Sequence, residues 1–181
     1  MHPSNSPTTL VGQRAPDCCS TAYENGKDIS ISSAGYAGRW VVLYWYPLDF
    51  TFVCPTEIRG FQSLLEEFTR DGVAVIGAST DSFFAHEAWL EDRKTFPQPI
   101  THLVIADTNH SVSRAFGVPK EDQGVAWRAT VIVDDQGTVR SHNVNDLGVG
   151  RSPAEVLRTV QARRSGGLCA ADWKKGQGFV G

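Results

Sequence analysis

The chain has a single methionine and four cysteines, at 18, 19, 54 and 169, and no two cysteines form a CxxC pair. Without that spacing neither a zinc ribbon nor a thioredoxin-type redox motif is indicated. No apolar run approaches the roughly 18–20 residues that a membrane-spanning helix needs. The opening, MHPSNSPTTLVG, has neither a basic start nor an apolar stretch, so no secretory leader is expected and a cytoplasmic protein is. Basic surplus is missing as well: 17 Lys and Arg stand against 20 Asp and Glu, a net charge of −3. That balance argues against a nucleic-acid partner and against a polybasic contact with membranes. The five histidines, at 2, 86, 102, 110 and 142, show no ligand spacing relative to the cysteines, so no metal site is expected.

What the sequence does have is material for one ordinary core. Over 181 residues, 41% are hydrophobic and 10% aromatic, too apolar for disorder and enough for a single domain. A disulfide scaffold is therefore not needed, and a reducing compartment would not keep one. The cysteines are left as buried filler, reactive thiols, or a pair that meets only in the fold.

Residues 40–46, WVVLYWY, form a continuous run of strand formers, read as a strand buried on both faces and ended by Pro47. Ile58, Phe61, Leu64, Leu65 and Phe68 recur at helical spacing. Residues 73–77 and 103–105 read as further buried strands, with a helix capped by Ser82 between them and a short helix over 109–116. Asn25-Gly26 and Asp135-Gln136-Gly137 mark hairpins. Ser152-Pro153-Ala154-Glu155 is a capping box that opens a helix through about Arg163. This alternation predicts an α/β domain with a mostly parallel central sheet and helices on its faces. Gly166-Gly167 then makes the last segment, which carries Cys169, locally flexible.

Cys54 stands where the first buried strand hands over to a helix, and Pro55 suits the first turn of that helix. A thiol there faces unpaired N–H groups and the positive end of the helix dipole. Ionisation alone gives little. A free thiol is already a few per cent thiolate at neutral pH, so full ionisation gains at most about 30-fold in nucleophile. A fast thiol also needs donors aimed at its transition state. An inert cysteine beside a helix start is the alternative that this local context leaves open.

Residues 46–57 read YPLDFTFVCPTE, and their pattern Pro47-x-x-x-Thr51-x-x-Cys54 resembles the active-site signature of the peroxiredoxins. Residues 168–176, LCAADWKKG, resemble the resolving-cysteine segment of the typical two-cysteine class that includes alkyl hydroperoxide reductase C. Residues 79–89, Trp127-Arg128, residues 144–147 and Gly150-Arg151-Ser152 fall in the same register, so that the likeness spans about residues 10–176.

The resemblance implies a thioredoxin-like fold of the peroxiredoxin type, a central mixed sheet flanked by helices. The polar, Pro/Ser/Thr-rich residues 1–12 read as a flexible N-terminal arm, and the resemblance implies a peroxiredoxin domain over 13–164 and a tail over 165–181 bearing the resolving cysteine. It also implies the chemistry of a thiol peroxidase in antioxidant defence, without metal or prosthetic group. Cys54 would attack a hydroperoxide and become a sulfenic acid. Thr51 would set its hydroxyl against the peroxide, Pro47 would shield the pocket, and Arg128 would steady the sulfur and the opening O–O bond. Glu57 and Arg151 would orient Arg128. Cys169 would condense with the sulfenic acid, by resemblance that of the partner chain; the residues by themselves do not choose between chains. Thioredoxin or a dedicated disulfide reductase would return the electrons. The implied assembly is a homodimer, with a ring of about five or six dimers as its larger form.

Residues 93–100, RKTFPQPI, lack the Gly-Gly-Leu-Gly motif of the family, and no Tyr-Phe helix follows Cys169. Those features slow unwinding and promote overoxidation in the family, so resistance to overoxidation is expected here. Ala170 stands where proline is common. Cys18 and Cys19 match no role in the family and read as strand filler, with a secondary redox site as the alternative, and His86 reads as a packing or hydrogen-bonding residue at a subunit contact. Two other functions compete. A disulfide oxidoreductase is weakened by Glu57 at the second CxxC position and by the lack of a proline near 126–130. A holdase or signalling partner would act without peroxide.

Overall fold

The computed structural model describes residues 9–181. Its elements are β1 (Cys19–Glu24), β2 (Lys27–Ser32), a 3₁₀ turn (Ser33–Tyr36), β3 (Trp40–Trp45), α1 (Cys54–Ser63), α2 (Leu65–Arg70), β4 (Val73–Ser79), α3 (Phe83–Leu90), β5 (Leu103–Ala106), α4 (Ser111–Ala115), β6 (Pro119–Lys120), β7 (Val125–Ala126), β8 (Arg128–Val133), β9 (Val139–Asn145) and α5 (Pro153–Arg164). Among these none is long and apolar enough to cross a membrane.

Seven strands form one sheet in the order β2-β1-β5-β4-β3-β8-β9, and β6 pairs with β7 as a separate hairpin. The sheet is mixed, which corrects the expectation of a mostly parallel one. Only β3–β4 and β4–β5 run parallel; β1–β2, β1–β5, β3–β8 and β8–β9 are antiparallel. Connection length decides the pairs of successive strands, β1–β2, β3–β4, β4–β5 and β8–β9, whereas β1–β5 and β3–β8 pair across the sheet between distant segments. Short turns permit only antiparallel neighbours, whereas crossover helices permit parallel ones. Asn25 and Gly26 join β1 to β2 with φ of 50° and 75°, the two left-handed positions that a tight hairpin turn requires.

β3 lies inside the sheet and is apolar on both faces, as its sequence implies. Val42, Tyr44 and Tyr46 enter a core with Ile58, Phe61, Phe68, Trp89, Leu157 and Val160, under α1, α2, α3 and α5. Val41, Leu43 and Trp45 enter a second core with Ile76, Val112, Phe116 and Val131, under α4 and the N-terminal segment. The helix expected through Phe68 is broken at Leu64, whose φ of −103° and ψ of 4° separate α1 from α2. Ser82 and Ser152 cap α3 and α5 as expected, accepting from the backbone N–H of Ala85 and Glu155. Gly60, mid-helix where glycine is unfavourable by about 1 kcal/mol, lets α5 approach closely. A Cβ there would meet Pro153 at 2.8 Å.

Residues 1–8 of the expected N-terminal arm lie outside the described residues. At its other end the Gly12 N–H donates to Val139 O at 2.8 Å, and Leu10 packs on the second core. The C-terminal segment, expected to be flexible, is docked. Trp173 is buried against α5, Arg158 donates to its carbonyl, and Lys175 pairs with Asp71. Cys18 packs partly on the second core, as filler would, but Cys19 is exposed. His86 is buried within the chain, so its expected place at a subunit contact is corrected.

Candidate active site

Register brings the site together. β3 and β8 pair antiparallel with Tyr44 opposite Thr130. The start of β8 therefore lies beside the end of β3, and Arg128, the first residue of β8, falls next to the helix that begins at Cys54. In sheets of this kind, sites gather at the carboxyl ends of the parallel strands.

The Cys54 side chain is completely buried, with its backbone in the first turn of α1. Arg128 Nη1 donates to Cys54 Sγ at 3.4 Å and to Glu57 Oε2 at 2.6 Å. Arg128 Nε donates to Leu147 O at 2.8 Å, which fixes the plane of the guanidinium. Glu57 lies three residues after Cys54, on the same face of α1. Its other oxygen accepts from the backbone N–H and from Nε of Arg151, both at 2.8 Å. Arg151 Nη1 reaches Ala129 O, and its guanidinium carbon lies 5.3 Å from the centre of the Tyr44 ring. Arg128, Glu57 and Arg151 are all at least nine-tenths buried. Two cations thus enclose one carboxylate beside a thiol, in a setting where unpaired charge is very unfavourable.

Pro47 is buried and Thr51 half-buried in the loop between β3 and α1. Thr51 Oγ1 donates to Leu48 O at 2.9 Å, which leaves its lone pairs free to accept. Cys169 belongs to a different place. Its thiol contacts Ser165 Oγ at 3.4 Å and Ala162 O at 3.5 Å, at the C-terminal end of α5. None of the four cysteines is in a disulfide. The structure thus joins Cys54, Glu57, Arg128 and Arg151 directly and keeps Cys169 apart.

Reading the sequence missed Tyr44, which supports Arg151 and is itself held from behind. Its hydroxyl lies 2.7 Å from His102 Nε2, while His102 Nδ1 lies 2.9 Å from Gln62 Oε1. Gln62 Oε1 also accepts from the Thr101 N–H, so His102 Nδ1 carries a proton and Tyr44 donates to Nε2. Burial lowers the His102 pKa from 6.5 to about 4. Below pH 6.5 the unfolded chain takes up a proton that the folded one refuses until about pH 4. The stabilisation is therefore complete above pH 6.5 and lost as pH falls towards 4, about 3 kcal/mol in all. Urea unfolding at pH 7 and 4.5 is expected to show this loss in the wild type and a smaller one in His102→Gln.

A buried cysteine at a helix start, bound by a braced guanidinium on a thioredoxin-like sheet, defines a thiol-dependent oxidoreductase. Comparison with known proteins narrows the class. Residues 11–142 match the AhpC/TSA family. Peroxiredoxin prdx-2 of Caenorhabditis elegans is 44% identical, over 94% of this chain and 88% of that protein. The thioredoxin peroxidase of Echinococcus granulosus is 41% identical, over 92% of this chain and 90% of that protein. Among solved structures, the reduced 2-Cys peroxiredoxin of Plasmodium vivax superposes with a TM-score of 0.87 at 35% identity, covering 94% of this chain and 92% of that one. The chain belongs to the AhpC/TSA family and is a peroxiredoxin, a thiol peroxidase of antioxidant defence.

Proposed function

We propose that Cys54 is the peroxidatic thiol of a two-cysteine cycle completed by Cys169 of a partner chain. The contact between Arg128 and the Cys54 sulfur, braced by Glu57, carries the reading. The thiolate attacks the terminal oxygen of hydrogen peroxide or an organic hydroperoxide. The O–O bond breaks, the leaving oxygen takes a proton and departs as water or alcohol, and Cys54 is left as a sulfenic acid. A thiolate at Cys54 also balances the surplus positive charge of the two arginines. Arg128 stabilises the charge that develops on the separating oxygens. The free lone pairs of Thr51 accept from the peroxide O–H, and buried Pro47 keeps water from the sulfur.

The Cys169 thiol then attacks the sulfenic sulfur, water leaves, and a disulfide forms. Two features favour the partner chain as its source. Arg164, beside the Cys169 segment, lies over Trp40 at the start of β3, whereas Cys54 follows the end of that strand. Six strand residues span about 20 Å, far beyond the roughly 7 Å between Cα atoms that a disulfide allows. A homodimer is the matching assembly. β9 is an edge strand of the sheet and can pair with its own copy about a two-fold axis. Exposed Leu48, Phe50 and Phe84 offer an apolar contact through which dimers would close into a ring. The electron donor is a thioredoxin-type dithiol or a dedicated disulfide reductase, and the cytoplasm, which maintains such thiols, is the compartment. Without the Gly-Gly-Leu-Gly motif, millimolar peroxide is expected to leave mostly disulfide and little Cys54 sulfinate by mass spectrometry.

The test uses both cysteines. Peroxide is expected to change the tryptophan fluorescence of the wild type in a fast second-order phase, and Cys54→Ser is expected to lose it. Oxidised wild type is expected to run as a covalent dimer on non-reducing gels. If Cys169→Ser still gives that dimer, Cys169 is not the resolving thiol.

A further inference from the structure

The loop from Pro47 to Val53 carries Thr51 and delivers Cys54, yet it has no regular structure of its own. Phe50, in its middle, has a φ of +56°. For an aromatic residue that left-handed conformation is unfavourable and persists only where the surroundings impose it.

The surroundings here are a buried polar network with Asp49 at its centre. Asp49 Oδ1 accepts from the Tyr46 hydroxyl at 2.8 Å, and Oδ2 lies 2.7 Å from His86 Nδ1. The Asp49 backbone N–H donates to Asp81 Oδ2 at 2.8 Å, and Ser79 Oγ donates to the same oxygen at 2.9 Å. The other His86 nitrogen, Nε2, lies 3.1 Å from Ile105 O. Asp49 and His86 are 6% and 0% exposed, and none of their side-chain polar atoms lacks a partner. The network therefore ties the centre of the loop to the end of β3, to α3 and to β5 at once. Next to it, the Phe50 ring lies 5.8 Å from that of Trp89, on the same helix as His86.

We infer that Asp49, held by Tyr46 and His86, is a positioning residue for the peroxidase reaction: it imposes the left-handed turn at Phe50 that aims Thr51 at the peroxide. It acts through the loop backbone, since the hydroxyl of Thr51 donates to Leu48 O, the carbonyl immediately before Asp49. His86 acts only through Asp49. This inference rests on the peroxidase reading of Cys54 and adds the part of the molecule that fixes the substrate side of the site. Arg128 and Glu57 reach the sulfur from β8 and α1 and make no hydrogen bond to the network.

The experiment compares two rates at Cys54: its second-order oxidation by hydrogen peroxide and its alkylation by iodoacetamide, which needs no aligned hydroxyl. Asp49→Asn is expected to slow peroxide oxidation by about 10- to 100-fold, as displacement of a positioned group does, and to leave alkylation within about two-fold. His86→Gln is expected to slow oxidation likewise and to add nothing to Asp49→Asn. It also provides the test should Asp49→Asn fail to fold. Glycine adopts left-handed φ freely, so Phe50→Gly in the Asp49→Asn background is expected to restore much of the peroxide rate. A general loss of structure would not be rescued in this way. The inference is overturned if Asp49→Asn oxidises at the wild-type rate, if alkylation falls in parallel with oxidation, or if Phe50→Gly gives no recovery. Failure of the underlying reading looks different: the wild type itself would then show no peroxide phase that depends on Cys54.

Discussion

Glu57→Gln is expected to destabilise the protein by about 3–5 kcal/mol, the usual effect of removing one partner from a buried ion pair. Glu57 is 1% exposed and accepts from Arg128 on one oxygen and from Arg151, twice, on the other. Glutamine keeps the shape but removes the only carboxylate between two guanidiniums, and its NH₂ would point a donor at another donor. Arg128 and Arg151 are only 4% and 9% exposed, so water offsets little of the loss. Thermal unfolding should register the change as a drop of about 6–20 °C in Tm, since each kcal/mol moves a domain of this size by about 2–4 °C. A shift under about 3 °C would show that the arginines are neutralised from elsewhere.

Arg128→Lys is expected to act on the chemistry more than on the fold. The guanidinium serves Leu147 O, Glu57 and Cys54 together, with Nε and Nη1 in one plane. An ammonium is a compact point charge and cannot hold all three in that geometry. It retains the positive charge, however, so Glu57 keeps a second cation and the buried cluster stays compensated. Loss of an aligned donor at a transition state typically lowers a rate by about 10²–10³-fold, and the peroxide rate of Arg128→Lys should fall by that order. Stopped-flow oxidation alongside urea unfolding separates the two effects. Arg151→Lys supplies the contrast. Arg151 braces Glu57 and Ala129 O and has no contact with the sulfur, so its loss should weaken the fold more than the first oxidation step.

The two variants divide along a line already visible in the molecule. Cys54, Pro47, Thr51 and Glu57 lie within eleven residues on one strand-to-helix handover, and local rules account for them. Proline ends a central strand, a second proline starts a helix, and the position three residues after Cys54 faces the same way as the thiol. The hairpin turns and the serine caps were legible for similar reasons, because each depends on neighbours a few residues away. The mostly parallel sheet was misjudged because helical alternation describes only β3 to β5, while the outer strands enter by hairpins and by pairing across the sheet. His86 looked like a surface contact because nothing near it in sequence identifies its partners, Asp49 at 37 residues and Ile105 at 19. Tyr44 looked like plain core until the fold placed Arg151 on its ring and His102 at its hydroxyl.

The amino-acid sequence by itself therefore determined the kind of core, the handover that presents a thiol at a helix start, and, through its likeness to peroxiredoxins, the thiol peroxidase chemistry of the family. The absent CxxC pair already meant that no local partner serves Cys54. Only the tertiary structure decided which charges surround the sulfur, because Arg128 lies 74 residues from Cys54 and arrives through the antiparallel register of β8 against β3. Pairing register is a long-range property, set by how two strands bury their faces together, and neither strand states it alone.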